Sequence, residues 1–130
     1  MKIAYPVIMT KGEKYLIASV PDCNIDTQGK DIIDAIEMAR DAISIWCVAE
    51  QGAGRELPKP SDITSIICEE GELVTLVDSD IEAYKRKLDD RTVRKNLTLP
   101  SWLNEEAEKA GVNFSQILQT SLKEHLGIAQ

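Results

Sequence analysis

Val93-Arg94-Lys95-Asn96-Leu97-Thr98-Leu99-Pro100-Ser101-Trp102-Leu103 is the stretch on which the reading of this sequence turns. Its first seven residues have strand length, and parity separates their chemistry. Val93, Leu97 and Leu99 fall on one face, with Lys95 the polar exception, while Arg94, Asn96 and Thr98 fall on the other. Pro100 stops the strand and suits a helix start. Leu103, Ala107 and Ala110 mark the inner face of a helix that Trp102 widens, and Gly111 stands where a helix C-terminus favours glycine. A second helix opens at Asn113, with Gln116 at capping-box spacing. Phe114, Ile117, Leu118, Leu122 and Leu126 form its apolar stripe, and Gly127 closes it.

A strand and two helices in about forty residues cannot bury a sufficient core alone, and a lone strand exposes a whole ladder edge. Two copies solve both problems by pairing their strands into an antiparallel ribbon over four helices. Val93, Leu97, Leu99, Ile117, Leu118 and Leu122 are then the dimerisation core. The outward face of the ribbon suits the DNA major groove, which admits a two-stranded β element. Arg94 matches guanine O6/N7, Asn96 matches adenine N6/N7, and Thr98 suits a polar edge or a methyl. The free amides at Asn113, Phe114 and Ser115 suit a phosphate. The bland alternative for Arg94, Asn96 and Thr98 is an edge strand kept soluble by polar residues.

Outward from this stretch, charge divides the chain. Residues 1–80 hold seven Lys/Arg against fifteen Asp/Glu, a net −8, whereas residues 91–130 hold five basic against four acidic. The acidic part should repel nucleic acid and attract a basic partner. The expected organisation is a domain over residues 1–80, a linker or short helix over 81–90 carrying Ile81, Tyr84 and Leu88, and a DNA-binding domain over 91–130.

In the acidic part, residues 2–9 and 14–20 read as strands around a Lys11-Gly12-Glu13 turn. Ile3, Tyr5, Val7 and Met9 alternate to one face, and Pro6 requires an edge or a bulge. Val20–Asn24 breaks the pattern and Thr27-Gln28-Gly29 leads to a helix. Ile32, Ala35, Ile36, Ala39, Ala42, Ile43 and Trp46 supply that helix's stripe, with Asp31 as N-cap and Asp34 in the first turn. Gly52 and Gly54 end it, and Pro58-Lys59-Pro60-Ser61 is a stiff connector. Ile63–Cys68 and Leu73–Val77 read as two more strands. The class is α+β: a small antiparallel sheet with one long helix, then strand–helix–helix.

The 92–127 run, with Ala110-Gly111-Val112-Asn113-Phe114-Ser115-Gln116, resembles the ribbon-helix-helix domain of HicB antitoxins. Val20-Pro21-Asp22, Thr27-Gln28-Gly29, Asp34-Ala35, Ala39-Arg40-Asp41-Ala42 and Leu57-Pro58-Lys59-Pro60-Ser61 are similar, in order, to the HicB N-terminal domain. Cys23-Asn24 stands where that family often has a glycine-containing turn. The resemblance implies a partial RNase H-like N-terminal domain that binds a small basic HicA toxin, an RNA-cleaving protein. It also implies a ribbon-helix-helix that represses the shared operon on a palindromic operator, as a homodimer or a dimer of dimers.

Two other functions compete. Asp22, Asp26, Asp31 and Asp34 invite a metal-dependent nuclease, but Asp31 and Asp34 are better explained as helix caps. A transcription regulator whose first domain senses a small molecule differs only in what the acidic part binds. Cys23, Cys47 and Cys68 are odd in number and widely spaced, which fits buried reduced thiols rather than disulfides or a metal knuckle. His125, the single histidine, suits a helix C-terminus. No metal, cofactor, catalytic residue or membrane partner is expected. The N-terminus reads as a strand without signal-peptide character, so a cytoplasmic location is expected.

Overall fold

The computed structural model describes residues 1–128, which divide into two compact units, Met1–Arg91 and a second that begins at Thr92. In the first, β1 (Lys2–Lys11), β2 (Leu16–Val20), β3 (Ile25–Gly29) and β4 (Glu72–Asp80) form one antiparallel sheet in the order β3-β2-β1-β4. The helix α1 (Ile32–Gly52) lies across one face, and α2 (Ile81–Leu88) follows β4. The second unit carries α3 (Ser101–Lys109) and α4 (Phe114–Leu126). Among the described residues no helix is long and apolar enough to cross a membrane.

Parity in β1 works as read. Tyr5, Val7 and Met9 are buried with Ile3 packed beside them, against Ala35, Ala39, Ile43 and Cys47 of α1. Pro6 explains how far the sheet extends. The β1–β2 ladder runs only from Lys11–Leu16 to Ile8–Ser19. The next pair to exchange hydrogen bonds in that register is Pro6 with Pro21, and neither has an N–H. The ladder stops there, and Pro21–Cys23 turns into a short 3-10 helix. Asn24 closes that turn in the left-handed region (φ 54°), a conformation asparagine tolerates better than most residues, so no glycine is needed.

Several expectations are corrected. Thr27-Gln28-Gly29, read as a lead-in to the helix, belongs to β3, paired with β2 from Val20–Ile25 to Leu16–Gly29. Ile63–Cys68 is not a strand. Asp62 accepts bonds from the Thr64 amide (2.9 Å) and hydroxyl (2.8 Å), which curls Ile63–Ser65 into a 3-10 turn. Of the two readings of 81–90, the short helix forms as α2, and it packs onto the first unit: Ile81 is fully buried, its amide bonds the Met1 carbonyl (3.0 Å), and the Tyr84 hydroxyl donates to Asp41 (3.3 Å). Asp80 caps α2 by accepting from the Ala83 amide, and that bond holds its carboxyl below the usual range. Cys23 and Cys47 are buried as expected, but Cys68 is exposed on the loop after the 3-10 turn.

Asp31 caps α1 by accepting from the Asp34 amide (2.8 Å), and Asp34 reaches back to the Lys30 amide (2.8 Å). Ile32, placed in the core stripe by its spacing, is about half exposed at the start of the helix. Ser44 is buried instead, donating to the Arg40 carbonyl (2.7 Å) and sharing a 2.6 Å bond with Ser79 of β4. Helix and sheet are thus pinned by a polar contact inside an apolar layer.

Candidate functional site

In the second unit each helix end is made by the residues that the spacing singles out. Asn113 accepts from the Gln116 amide (3.1 Å), though Gln116 turns its own side chain to Thr120 instead of completing the capping box. Gly111 and Gly127 take left-handed angles (φ 68° and 69°). Behind them the Val112 amide reaches the Ala107 carbonyl and the Ile128 amide the Lys123 carbonyl, so both helices end in Schellman motifs. His125 lies in the last turn of α4, where a cation is favoured. At the other end of α4 the amides of Phe114 and Ser115, inside the Asn113 cap, have no intrahelical acceptor.

The apolar side chains of this unit have nothing to pack into. Neither α3 nor α4 contains a buried residue. Val93 is 87% exposed, Leu97 61% and Leu122 50%, with Leu99, Ile117 and Leu118 also open to solvent. Leu97, Leu99, Phe114, Ile117 and Leu118 gather around one cleft of about 630 Å³. Val93 and Leu122 lie outside it.

Residues 93–99 form no strand, since a ladder needs a partner and none of the described residues supplies one. The parity separation is accordingly incomplete. Asn96 and Thr98 are exposed away from the cleft, but Arg94 lines it beside Lys95 and Leu97. Phe114, expected at the phosphate with Asn113 and Ser115, also lines this cleft.

In the first unit the motifs Val20-Pro21-Asp22 and Leu57-Pro58-Lys59-Pro60-Ser61 meet. Asp22 accepts from both the amide (2.9 Å) and the hydroxyl (2.6 Å) of Ser61, and the Tyr5 hydroxyl donates to the Pro58 carbonyl (2.7 Å). Two bonds therefore fasten the connector to the 3-10 turn after β2, and one fastens it to β1. Spacing did not reveal this, although two Asp/Ser-containing proline turns far apart in sequence are the kind of signal that marks such a clasp. Burial pushes the adjacent Cys23 thiol up to about 12, with Cys47 and Asp22 adding to the shift, so it stays protonated and unreactive.

The four aspartates of the nuclease reading are held to separate tasks. Asp22 binds Ser61, Asp31 and Asp34 cap α1, and Asp26 lies on β3 opposite Ser19. Among the described residues no three His, Cys, Asp or Glu side chains are grouped to hold a metal ion. A cleft of about 370 Å³ between α1 and α2 carries both signs of charge; of its groups Arg40 pairs with Asp78 of β4 (3.1 Å), and the Tyr84 hydroxyl donates to Asp41 (3.3 Å).

The family model of a HicB-like antitoxin of bacterial toxin–antitoxin systems matches residues 5–120. No curated protein sequence matches the chain. Among solved structures, a chain of a toxin–antitoxin complex from Streptococcus pneumoniae superposes with TM-score 0.61 at 23% identity, over 96% of this chain and 99% of that one. The antitoxin HicB of Burkholderia pseudomallei gives 0.55 at 21% identity, over 96% and 97%. A chain of the HicA3 and HicB3 toxin–antitoxin complex gives 0.50 at 24% identity, over 60% of this chain and 99% of that one. At these identities the superpositions establish a shared fold.

Proposed function

The chain belongs to the HicB-like antitoxin family of bacterial toxin–antitoxin systems, and from that premise we propose that it works through two separate surfaces. The first unit, a partial RNase H-like domain, binds and neutralises a small basic HicA-type RNA-cleaving toxin. The second pairs with its copy as a ribbon-helix-helix and represses the operon from a palindromic operator. The assembly is a homodimer or a dimer of dimers. It acts in the cytoplasm by binding, without catalysis or a cofactor.

The observation that carries this reading is the uncovered apolar face of the second unit. Exposure of Val93, Leu97, Leu99, Ile117, Leu118 and Leu122 is more than one small unit leaves in water without a partner. A second copy supplies both missing elements: a strand for the unpaired 93–99 backbone, and apolar surface for the cleft. The pleat that pairing imposes sends Arg94, Asn96 and Thr98 outward together. The free amides of Phe114 and Ser115 then suit a flanking phosphate, while the Phe114 ring joins the core. The net −8 of residues 1–80 and the toxin–antitoxin complexes among the structural neighbours support a basic toxin as the partner of the first unit.

The test is co-expression with a HicA-type toxin, sought as a small basic open reading frame adjoining the gene, together with a mobility shift on the promoter. Growth should be restored, and the promoter DNA should be retarded. A toxin that still kills, or a promoter left unbound at moderate salt, overturns the corresponding half. Arg94→Ala should weaken operator binding by about 1–3 kcal/mol per reader site and relax one base position in each half-site. Because the variant keeps every apolar residue, it should remain a dimer. Undiminished affinity in a titration at fixed salt would show that Arg94 does not face the groove.

A further inference from the structure

β4 is an edge strand of nine residues without proline, lysine or a bulge, the usual devices that keep an edge from pairing. The direction of its backbone groups follows from one bond. The Ile81 amide donates to the Met1 carbonyl, which in the β1–β4 register makes Met1–Ile81 a hydrogen-bonded pair. Odd-numbered residues of β4 therefore bond to β1, and Glu72, Val74, Leu76 and Asp78 aim their backbone groups away from it.

Both ends of this outward row are occupied. The Glu72 amide bonds the Glu69 carbonyl (3.0 Å), and Arg40 donates to the Asp78 carbonyl (3.1 Å). Between them Val74 and Leu76 present two amides and two carbonyls to no strand of this chain. The flanking side chains are unfinished on both faces of the sheet. Leu73, on the α1 face, is 46% exposed, and Leu76, on the opposite face, is 51% exposed. A partner docking on either face would cover one of them, whereas an added strand covers both.

Charge decides what kind of strand fits. The symmetric antiparallel pairing of two β4 edges that uses both Val74 and Leu76 sets Glu72 opposite Asp78 twice, and directly opposed like charges are destabilising. Arg40 already pairs with Asp78 (3.1 Å), which leaves one cation for two carboxylates at each such position, whereas a strand with Lys or Arg opposite Glu72 meets complementary charge. We propose that the toxin adds a basic strand to β4 at Val74–Leu76, extending the sheet to five strands; this rests on the toxin-binding reading above.

The test compares amide exchange in the full-length protein, alone and with a catalytically inactive variant of the HicA-type toxin that the co-expression test identifies. The Val74 and Leu76 amides should exchange freely alone and become protected in the complex. Leu76→Pro removes an N–H that points away from β1 together with the leucine side chain, so the β1 ladder should survive, and affinity should fall about tenfold or more below that of Leu76→Ala, which removes the side chain alone. A complex that forms while both amides stay unprotected, with Leu76→Pro binding no worse than Leu76→Ala, places the toxin elsewhere and leaves the antitoxin reading standing. Protection that appears in the free protein as its concentration rises assigns the edge to a second copy and overturns the proposal. No binding by the wild type removes both readings.

Discussion

Replacing Leu97 by aspartate should abolish dimerisation through the second unit and operator binding with it. In the single chain Leu97 lines the apolar cleft with Leu99, Phe114, Ile117 and Leu118. In the proposed dimer it sits between two strands and four helices, where an unpaired carboxylate costs about 3–5 kcal/mol. Loss of the dimer removes the ribbon, and one strand cannot fill a major groove. Light scattering on the wild-type and mutant full-length chains, with a mobility shift beside it, reads both effects. Neutralisation of the toxin should persist, because Met1–Arg91 is a compact unit with its own core. A mutant that still retards the promoter would mean that Leu97 faces outward and that the odd-inside assignment is wrong.

Gly29→Val should unfold the first unit or bring it close to unfolding. Gly29 is the last residue of β3, and the start of α1 presses directly on it. A β-carbon there would collide with the Ala35 amide nitrogen and come within 2.5 Å of its Cα and 2.7 Å of the Asp34 carbonyl carbon. These are backbone atoms of a capped first turn, so they cannot swing aside as a flexible side chain would. Overpacking of this kind should cost about 3 kcal/mol or more. Urea unfolding followed by Trp46 fluorescence would register it, and an unchanged midpoint would mean that α1 can slide along the sheet. Gly52→Val is the control, since its surroundings are open.

What could be read in advance was whatever depends on local chemistry. Alternation in β1, the Asp31 and Asn113 caps and the glycines after α3 and α4 all depend on neighbours within a few residues. β3 escaped because three of its five residues, Asp26, Thr27 and Gln28, are polar, and only the ladder to β2 makes them a strand. Ile63–Cys68 misled in the opposite way. Its isoleucines have strand character, but Asp62 captured the local amides first. The candidate site shows a third limit: the 93–99 segment has the pattern of a strand, yet its ladder must come from another molecule. The parity of Arg94 therefore has nothing to enforce it in one chain. The clasp of Asp22 on Ser61 joins positions 39 residues apart, beyond any periodicity.

The facing prolines at positions 6 and 21 also bear on which misaligned hairpins this chain can form. A one-residue slip of β2 along β1 would turn Ala18 and Val20 out of the core. A two-residue slip keeps the faces, so it is the competitor that hydrophobic patterning cannot reject. In one direction that slip brings Pro21 opposite Ile8 in a hydrogen-bonding position; in the other it brings Pro6 opposite Ser19. Either way an imino nitrogen replaces a donor and strands a carbonyl, a penalty of about 1–3 kcal/mol where the carbonyl is buried. The native register alone leaves both prolines just beyond the last bonded pair. Two residues that contribute no hydrogen bond to the sheet thus exclude the nearest wrong alignment from both sides.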